Sequence, residues 1–198
     1  MLPTPALPTP SRHPWKRTRV QVRLLRRPVH RYLTKFSGTP AVPPKRQALG
    51  HILTSWVGAL IAIGTLGWMS NACHAPLMMA SFGASCVLLF GYPESPFAQP
   101  RNTIGGHLLA AATGLIAAHL LGEQWPVLAL SVATAIAVMK LTRTVHPPAG
   151  STAIIAAHVH LSWSFLVLPV AAGAALLVVL ASLYNNGVEH RRYPLYWF

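Results

Sequence analysis

Two long stretches of this chain, residues 47–93 and 144–188, contain no Lys, Arg, Asp or Glu. They are 47 and 45 residues long. As one straight helix, each would extend roughly 70 Å at about 1.5 Å per residue, twice the ~30 Å hydrocarbon core of a bilayer. Each stretch must therefore cross a membrane twice, or cross once and turn back. With two shorter charge-free runs between them, residues 102–122 and 124–139, the pattern predicts an all-α, polytopic membrane protein.

The positions of the remaining charges indicate the number of crossings. We predict about six membrane segments, at residues 49–70, 75–92, 103–122, 125–141, 147–160 and 163–185. With the basic amino terminus inside, the inner loops and the tail hold every other Lys and Arg, as the positive-inside rule expects. Both termini are then cytoplasmic. Because a basic arm of this kind needs no processing, we expect a bacterial inner (plasma) membrane; an organellar transit peptide within residues 1–45 is the alternative.

Basic residues are concentrated at the amino terminus. The chain is 53% hydrophobic and 10% charged, and its Lys and Arg lie mostly before residue 50. We expect three parts: a basic, Pro-rich cytoplasmic arm over residues 1–46, a transmembrane domain over 47–188 and a cytoplasmic tail over 189–198. The arm has no helical face of its own and directly precedes a span, which suits contact with anionic lipid rather than nucleic acid. The lipid bilayer is thus an expected partner, and nucleic acid is not.

The two halves of the transmembrane domain share a pattern. In each half the middle segment is the short one, and each begins with His-x-Pro, at His74 and at His146, 72 residues apart. Three spans per half would make the halves inverted relative to each other, an arrangement that many transporters use. The pattern allows a 3+3 inverted repeat with short or broken second and fifth segments.

The second of these turns is a candidate anion site. Pro147 and Pro148 suit the start of a helix because they have no N–H to leave unpaired. Gly150, Ser151 and Thr152 follow with small side chains, so an anion could approach the N–H groups of the first turn and the positive end of the helix. His146, just before the helix, could add a hydrogen bond that strengthens on protonation. The alternative for these small residues is tight helix packing.

Two further groups of polar or small residues complete the candidate site. Ser81, Gly83 and Ser85 lie on the first middle segment, where close packing explains them equally well. The loop before the third span leads into Arg101, Asn102 and His107. Arg101 could draw anions into an inner vestibule, or it could simply fix the topology at the interface.

The acidic residues limit the chemistry. The chain has three, Glu94, Glu123 and Glu189, and all fall in predicted loops or in the tail. No carboxylate is then left inside the membrane for a proton relay or a divalent cation, and no motif assembles a catalytic triad. We expect no metal site, no cofactor and no enzymatic activity, which leaves anions and small neutral solutes as cargo.

Three ordered blocks of sequence resemble the HPP family of small integral membrane proteins. They are SFGASCVLLFGYPESPFAQPRNTIGGH (81–107), HPPAGSTAII (146–155) and, more weakly, NNGVEHRRYPLYW (185–197). The similarity covers about residues 45–197. The resemblance implies a membrane protein with four or more helices, and plastid and cyanobacterial relatives are linked to nitrite transport. Some relatives carry an appended regulatory domain, which is not found in this sequence.

Together these features favour a membrane transporter or channel for a small monovalent anion, with nitrite the best single candidate. Two alternatives stay open: a membrane-embedded structural or assembly subunit, and a channel for a small neutral solute. A chain of 198 residues is small for burying a polar path, so we also expect it to form homo-oligomers.

Overall fold

A computed structural model of the chain describes residues 29–39, 41–158 and 161–198. Contacts divide the chain into two units, residues 1–46 and 47–198, which are described separately. In the first unit, residues 29–33 are helical and lead into a 3₁₀ turn, Thr34–Ser37. Most of the arm that the sequence predicts, including the start of the alternative transit peptide, lies in residues 1–28 and 40, outside the described residues. Residues 159 and 160, at the end of the fifth predicted segment, also lie outside them.

In the described residues of the second unit, all regular secondary structure is helical, which confirms the predicted all-α class. Its helices are α1 (Leu49–Ala72), α2 (Ala80–Gly91), α3 (Pro100–Leu121), α4 (Trp125–Thr142), α5 (Ala149–His158) and α6 (Ala172–Gly187). A 3₁₀ turn, Trp163–Leu166, and a π turn, Val167–Ala171, precede α6.

Four of these helical stretches are long and apolar enough to cross a membrane: α1, α3, α4 and Trp163–Gly187. The other two helices, α2 and α5, have 12 and 10 residues. At about 1.5 Å per residue they reach roughly 18 and 15 Å, about half of the hydrocarbon core. Helix length alone therefore does not confirm six crossings, and α2 and α5 lie where the sequence predicts the short second and fifth segments.

Hydrogen bonds show which helix ends lie together. At one end, Ser55 near the start of α1 donates to the carbonyl of Phe90 at the end of α2 (2.7 Å). Arg101 at the start of α3 donates to the carbonyl of Thr142 at the end of α4 (2.8 Å). At the end of α3 furthest from Arg101, the rings of His119 and Trp163 lie 5.4 Å apart. The first contact shows that α1 and α2 are antiparallel, and the second shows that α3 and α4 are antiparallel.

Glycines let two non-helical stretches, residues 73–79 and 143–148, pack closely against helices. A Cβ on Gly106 of α3 would lie 2.9 Å from the carbonyl oxygen of Thr144. A Cβ on Gly173 of α6 would lie 2.7 Å from the carbonyl oxygen of Leu77. Both distances are shorter than real Cβ atoms show, so these two contacts require glycine. Backbone that is not helical must be covered by protein inside a membrane, and these glycine contacts help to cover it.

Residues after α6 fold back onto the helix ends, which the sequence did not indicate. Arg191 donates to the carbonyl of Phe90 (3.0 Å), to Asn185 Oδ1 (3.1 Å) and to Thr54 Oγ1 (2.9 Å). Tyr193 is buried and donates to the carbonyl of Ala98 (2.8 Å). Burial raises the pKa of the Tyr193 phenol, so it stays a neutral donor. Arg191 thereby places a cation at the negative carboxyl end of α2.

Replacing Arg191 by methionine should destabilise the folded protein. The change keeps much of the side-chain volume but removes hydrogen bonds from a charged donor, which together contribute about 2 kcal/mol. For a domain of this size that corresponds to a melting temperature about 4–8 °C lower. Thermal unfolding of the purified protein in detergent measures it. Arg192→Met is the matched control, because Arg192 is exposed and should tolerate the change; equal melting temperatures for both variants would contradict the role of Arg191.

Candidate functional site

The two short helices meet at their amino-terminal turns. Ser81 is the second residue of α2, and Thr152 is the fourth residue of α5. Their hydroxyl oxygens lie 3.0 Å apart, within hydrogen-bonding distance. Two helix starts, each with a partial positive charge, therefore point toward the same place in the core of the bundle.

Five side chains from four parts of the fold form one continuous set of hydrogen bonds, here called the polar column: Ser81, Ser85, His107, His146 and Thr152. His107 Nδ1 lies 2.8 Å from Thr152 Oγ1, and His107 Nε2 lies 3.0 Å from Ser85 Oγ. Ser85 Oγ also lies 2.9 Å from His146 Nε2. A single serine hydroxyl thus joins the two imidazole rings.

The polar column is sealed from solvent. Ser85, His107, His146 and Thr152 have no exposed surface, and Ser81 is 2% exposed. The ring of Phe82 stands edge-on to the ring of His107, with centroids 5.2 Å apart. In the described part of the chain, the hydrogen bonds of the column include none to a Lys, Arg, Asp or Glu side chain. Buried ionisable groups inside a membrane domain are expensive and usually functional.

The ring of His146, at one end of the column, has a fixed orientation. His146 Nδ1 lies 2.7 Å from the carbonyl oxygen of Phe97, in the turn Pro96–Ala98. Because a carbonyl only accepts, Nδ1 must carry the proton and donate it. The sequence did not predict this contact, because every residue has a backbone carbonyl and the residue type does not indicate which one a histidine will meet.

Glycines of α3 set how close the column residues approach one another. A Cβ on Gly106 would lie 2.7 Å from Cβ of His146, and a Cβ on Gly114 would lie 2.5 Å from the carbonyl oxygen of Ala153 in α5. Only the absence of a side chain permits both contacts. These glycines bring the His146 turn and α5 against the face of α3 that carries His107.

Asn102 lies beside the column and leaves one atom unpaired. Its Nδ2 donates to the carbonyl of Val145 (2.9 Å), the peptide group that leads into His146. That contact fixes which side of the amide is oxygen, because a reversed amide would put two acceptors together. Asn102 is 5% exposed, and its Oδ1 has no hydrogen-bond partner. The site therefore contains a free, buried acceptor.

The structure brings together part of the set that the sequence proposed. The polar column contains five of those residues, Asn102 adjoins it, and Pro148 is buried nearby along the chain. Gly83, Pro147 and Ser151 are exposed, and Gly150 is partly exposed. Arg101 is partly buried. Its side chain donates to the carbonyl of Thr142 at a helix end and not to a residue of the column.

The first backbone N–H groups of α5 are engaged. Those of Ala149, Gly150 and Ser151 donate to the carbonyls of residues 146, 147 and 148, at 2.9, 3.1 and 3.2 Å. The sequence pointed to these N–H groups as the approach for an anion. The structure instead supplies side-chain hydroxyl and imidazole groups at the meeting point of the two helices.

Comparison with known proteins identifies relatives for the whole helical unit. The chain matches the family described as "HPP, transmembrane region" over residues 44–194. Two proteins of Dictyostelium discoideum, each described only as a transmembrane protein, are 34% identical to it over 179 and 180 residues. Each alignment covers 84% of this chain, and 57% and 63% of the relatives. The chain thus spans about three fifths of their length. No solved structure is significantly similar to it.

Proposed function

Because this chain belongs to the HPP family of integral membrane proteins, we propose that it is a transporter or channel that carries a small monovalent anion past the polar column, with nitrite the leading candidate. One observation carries the proposal: two half-length helices start at the same buried point, where Ser81 and Thr152 are 3.0 Å apart. Membrane transporters commonly bind substrate at such a meeting of broken helices.

In this proposal the chain crosses the membrane six times, and the second and fifth crossings are broken. α2 ends beside the start of α1, so residues 73–91 return across the whole depth, first as a non-helical stretch and then as a helix. Residues 143–158 do the same in the opposite direction, starting beside Arg101. The two half-helices then run in opposite directions from the middle, which is the relation that an inverted repeat requires.

Electrostatics favour a single negative charge at this point. Each helix start contributes about half a positive charge, and the hydroxyl and imidazole groups of the column can donate hydrogen bonds. The three Glu residues lie outside the helices of the bundle, at positions 94, 123 and 189. Among the described residues, no carboxylate hydrogen-bonds to the column. No fixed negative charge bonded to it would therefore repel an anion there.

The end of the bundle that holds Arg101 would face the cytoplasm. Arg101 and Arg191 both hydrogen-bond to helix ends there, and Lys140 and Arg143 lie at the carboxyl end of α4. A concentration of basic residues on one side follows the positive-inside rule and raises the local concentration of anions. The bacterial inner membrane and the homo-oligomer expected from the sequence stay predictions.

One observation favours the neutral-solute alternative. The free Oδ1 of Asn102 accepts hydrogen bonds, which suits a solute that bears N–H or O–H groups better than a bare anion. Urea and ammonia are therefore included as competing cargo in the test of function.

Flux into liposomes that contain the purified protein tests the proposal. Nitrite uptake should exceed that of nitrate, chloride, urea and ammonia. Thr152→Val removes one hydroxyl from the column at nearly constant volume and should lower nitrite uptake about tenfold, the equivalent of one buried hydrogen bond. Ser151→Ala removes a hydroxyl from the exposed neighbouring position and should leave uptake unchanged. Absence of anion uptake by a folded sample would overturn the proposal, and uptake of urea or ammonia alone would favour the neutral-solute channel.

A further inference from the structure

We propose that His107 and His146 together bind one proton for each anion that the protein takes up, so that anion and proton move as a pair. This inference rests on the proposed function and specifies its coupling ion. The argument starts from the shared hydroxyl of Ser85, which lies 3.0 Å from Nε2 of His107 and 2.9 Å from Nε2 of His146.

Without an extra proton, both rings are satisfied only if Thr152 donates to His107 and Ser81 donates to Thr152, the reverse of the direction that the structure gives. His146 carries its proton on Nδ1, because that atom faces the carbonyl of Phe97. Its Nε2 is then an acceptor, and the Ser85 hydroxyl donates to it (2.9 Å) in preference to the more distant carbonyl of Ser81 (3.2 Å). The Ser85 oxygen accepts in turn from His107 Nε2–H, and His107 Nδ1 accepts from the Thr152 hydroxyl. The two neutral rings thus carry their protons on opposite nitrogens.

The direction that the structure gives for the hydrogen bond between these two hydroxyls, from Thr152 to Ser81, requires one more proton. When Thr152 donates to Ser81, His107 Nδ1 must donate to Thr152. His107 and His146 then both face Ser85 through Nε2, but its hydroxyl has a single hydrogen to offer. A second proton on one of the two rings removes the conflict. That proton passes between the rings by two transfers through Ser85 Oγ, in which only N–H and O–H bonds break and form.

Among the described residues, no group that hydrogen-bonds to the two rings would neutralise this charge. The side chain of α2 that contacts both rings is Ser85, α5 contributes Thr152 to His107, and the turn Pro96–Ala98 contributes the carbonyl of Phe97 to His146. In the described residues, His107 and His146 are each other's titratable neighbour. Their ring centroids lie 4.9 Å apart. Two charged rings at this distance would repel each other, so the pair takes up only one proton beyond the one that each neutral ring already carries.

Charge balance makes the anion the partner of this proton. Burying one unpaired charge costs several kcal/mol, and a close opposite charge offsets much of that cost. An anion at the start of α2 and α5 would lie beside the protonated pair. Uptake of one proton and one anion from the same side leaves the core neutral, and release of both on the other side completes an electroneutral cycle. The free Asn102 Oδ1 lies near the His146 end of the column, since Nδ2 of the same side chain bonds to the carbonyl of Val145, and it is suited to accept a hydrogen bond from a species that carries the proton, such as water or the protonated acid.

Simultaneous measurement of anion and proton uptake tests the inference. Liposomes with the wild-type protein are loaded with a pH-sensitive dye, and nitrite is assayed chemically in the same samples. We expect one proton per nitrite and a rate that does not change when a potassium diffusion potential is imposed. Nitrite uptake without protons, or uptake driven by the potential, would overturn the inference and leave the proposed function intact. Absence of any anion uptake would overturn both. The wild-type ratio decides this without any variant.

A variant and a spectroscopic measurement locate the proton. Ser85→Ala removes the oxygen between the rings and should lower both uptakes at least tenfold. Ser131→Ala is the matched control: Ser131 is equally buried, and it bonds within α4 to the carbonyl of Val127. Nitrogen-15 NMR of the full chain in liposomes should show His146 protonated on Nδ1 and His107 on Nε2 at high pH, then one added proton per pair at low pH. The same tautomer on both rings, or two independent protonations, would overturn the shared proton.

Discussion

Replacing Gly114 by alanine is expected to lower the melting temperature of the protein by about 6–12 °C, the largest stability effect that we predict for a single methyl group. The new Cβ would lie 2.5 Å from the carbonyl oxygen of Ala153 and 2.7 Å from Cβ of Ala156. Neither atom can move away easily, because both belong to the helix α5. Overpacking of this kind costs about 3 kcal/mol, and a domain of this size loses 2–4 °C per kcal/mol.

Gly150→Ala, on the partner helix, is the control for this change. A Cβ at Gly150 meets no atom within 4 Å, and alanine favours a helix over glycine by roughly 0.5–1 kcal/mol. We therefore expect an unchanged or slightly higher melting temperature. Thermal unfolding of both variants in the same detergent is the measurement. A Gly114→Ala variant as stable as Gly150→Ala would show that α3 and α5 are not in the close contact described.

Replacing His146 by alanine is expected to reduce nitrite uptake at least about 30-fold. The ring is bonded at both nitrogens, to Ser85 and to the carbonyl of Phe97. Its removal leaves the buried carbonyl of Phe97 unpaired, at about 1–3 kcal/mol, and takes one hydrogen bond of about 1 kcal/mol from Ser85, which keeps its bond to His107. Together these losses of about 2–4 kcal/mol correspond to a factor of about 30 to 700 in binding. Uptake is measured per amount of folded protein, so that lost stability is not mistaken for lost function.

His119→Ala separates this effect from the loss of any histidine in the bundle. His119 also lies on α3, where its ring contacts the carbonyl of Leu115 and the ring of Trp163, but it makes no hydrogen bond with the polar column. We expect uptake within about twofold of the wild type. Similar uptake by the His146→Ala variant would rule out the column as the path of the anion.

The sequence predicted the helices of this fold better than it predicted which side chains face one another. Runs without charge locate the long helices because a charge inside a membrane is costly, and the proline pair marks the start of α5. However, a membrane helix is apolar on all sides, so its pattern does not reveal how it is rotated. From the sequence, Thr152 was therefore no better a candidate for the anion site than Ser151. In the structure Thr152 is buried in the column and Ser151 is exposed.

The contacts of residues 191–193 were missed for a different reason. Basic and aromatic residues near a membrane surface have a sufficient explanation in topology and interfacial anchoring, so nothing in RRYP indicates insertion between helix ends. The binding partners of Arg191 are mostly carbonyls and hydroxyls on α1, α2 and α6. Such acceptors become visible only when the helices are placed in three dimensions.

The position of Arg191 also has a consequence for biosynthesis. Its guanidinium caps helix α2 and reaches Thr54 near the start of α1, yet it is synthesised about 100 residues after α2. While the later helices are being synthesised, the carbonyl of Phe90 at the end of α2 therefore lacks the hydrogen bond that Arg191 later donates. Nascent chains that stall before residue 191 should remain open at this end and be available to membrane chaperones and proteases, so that closure of the first two segments reports translation through Arg191.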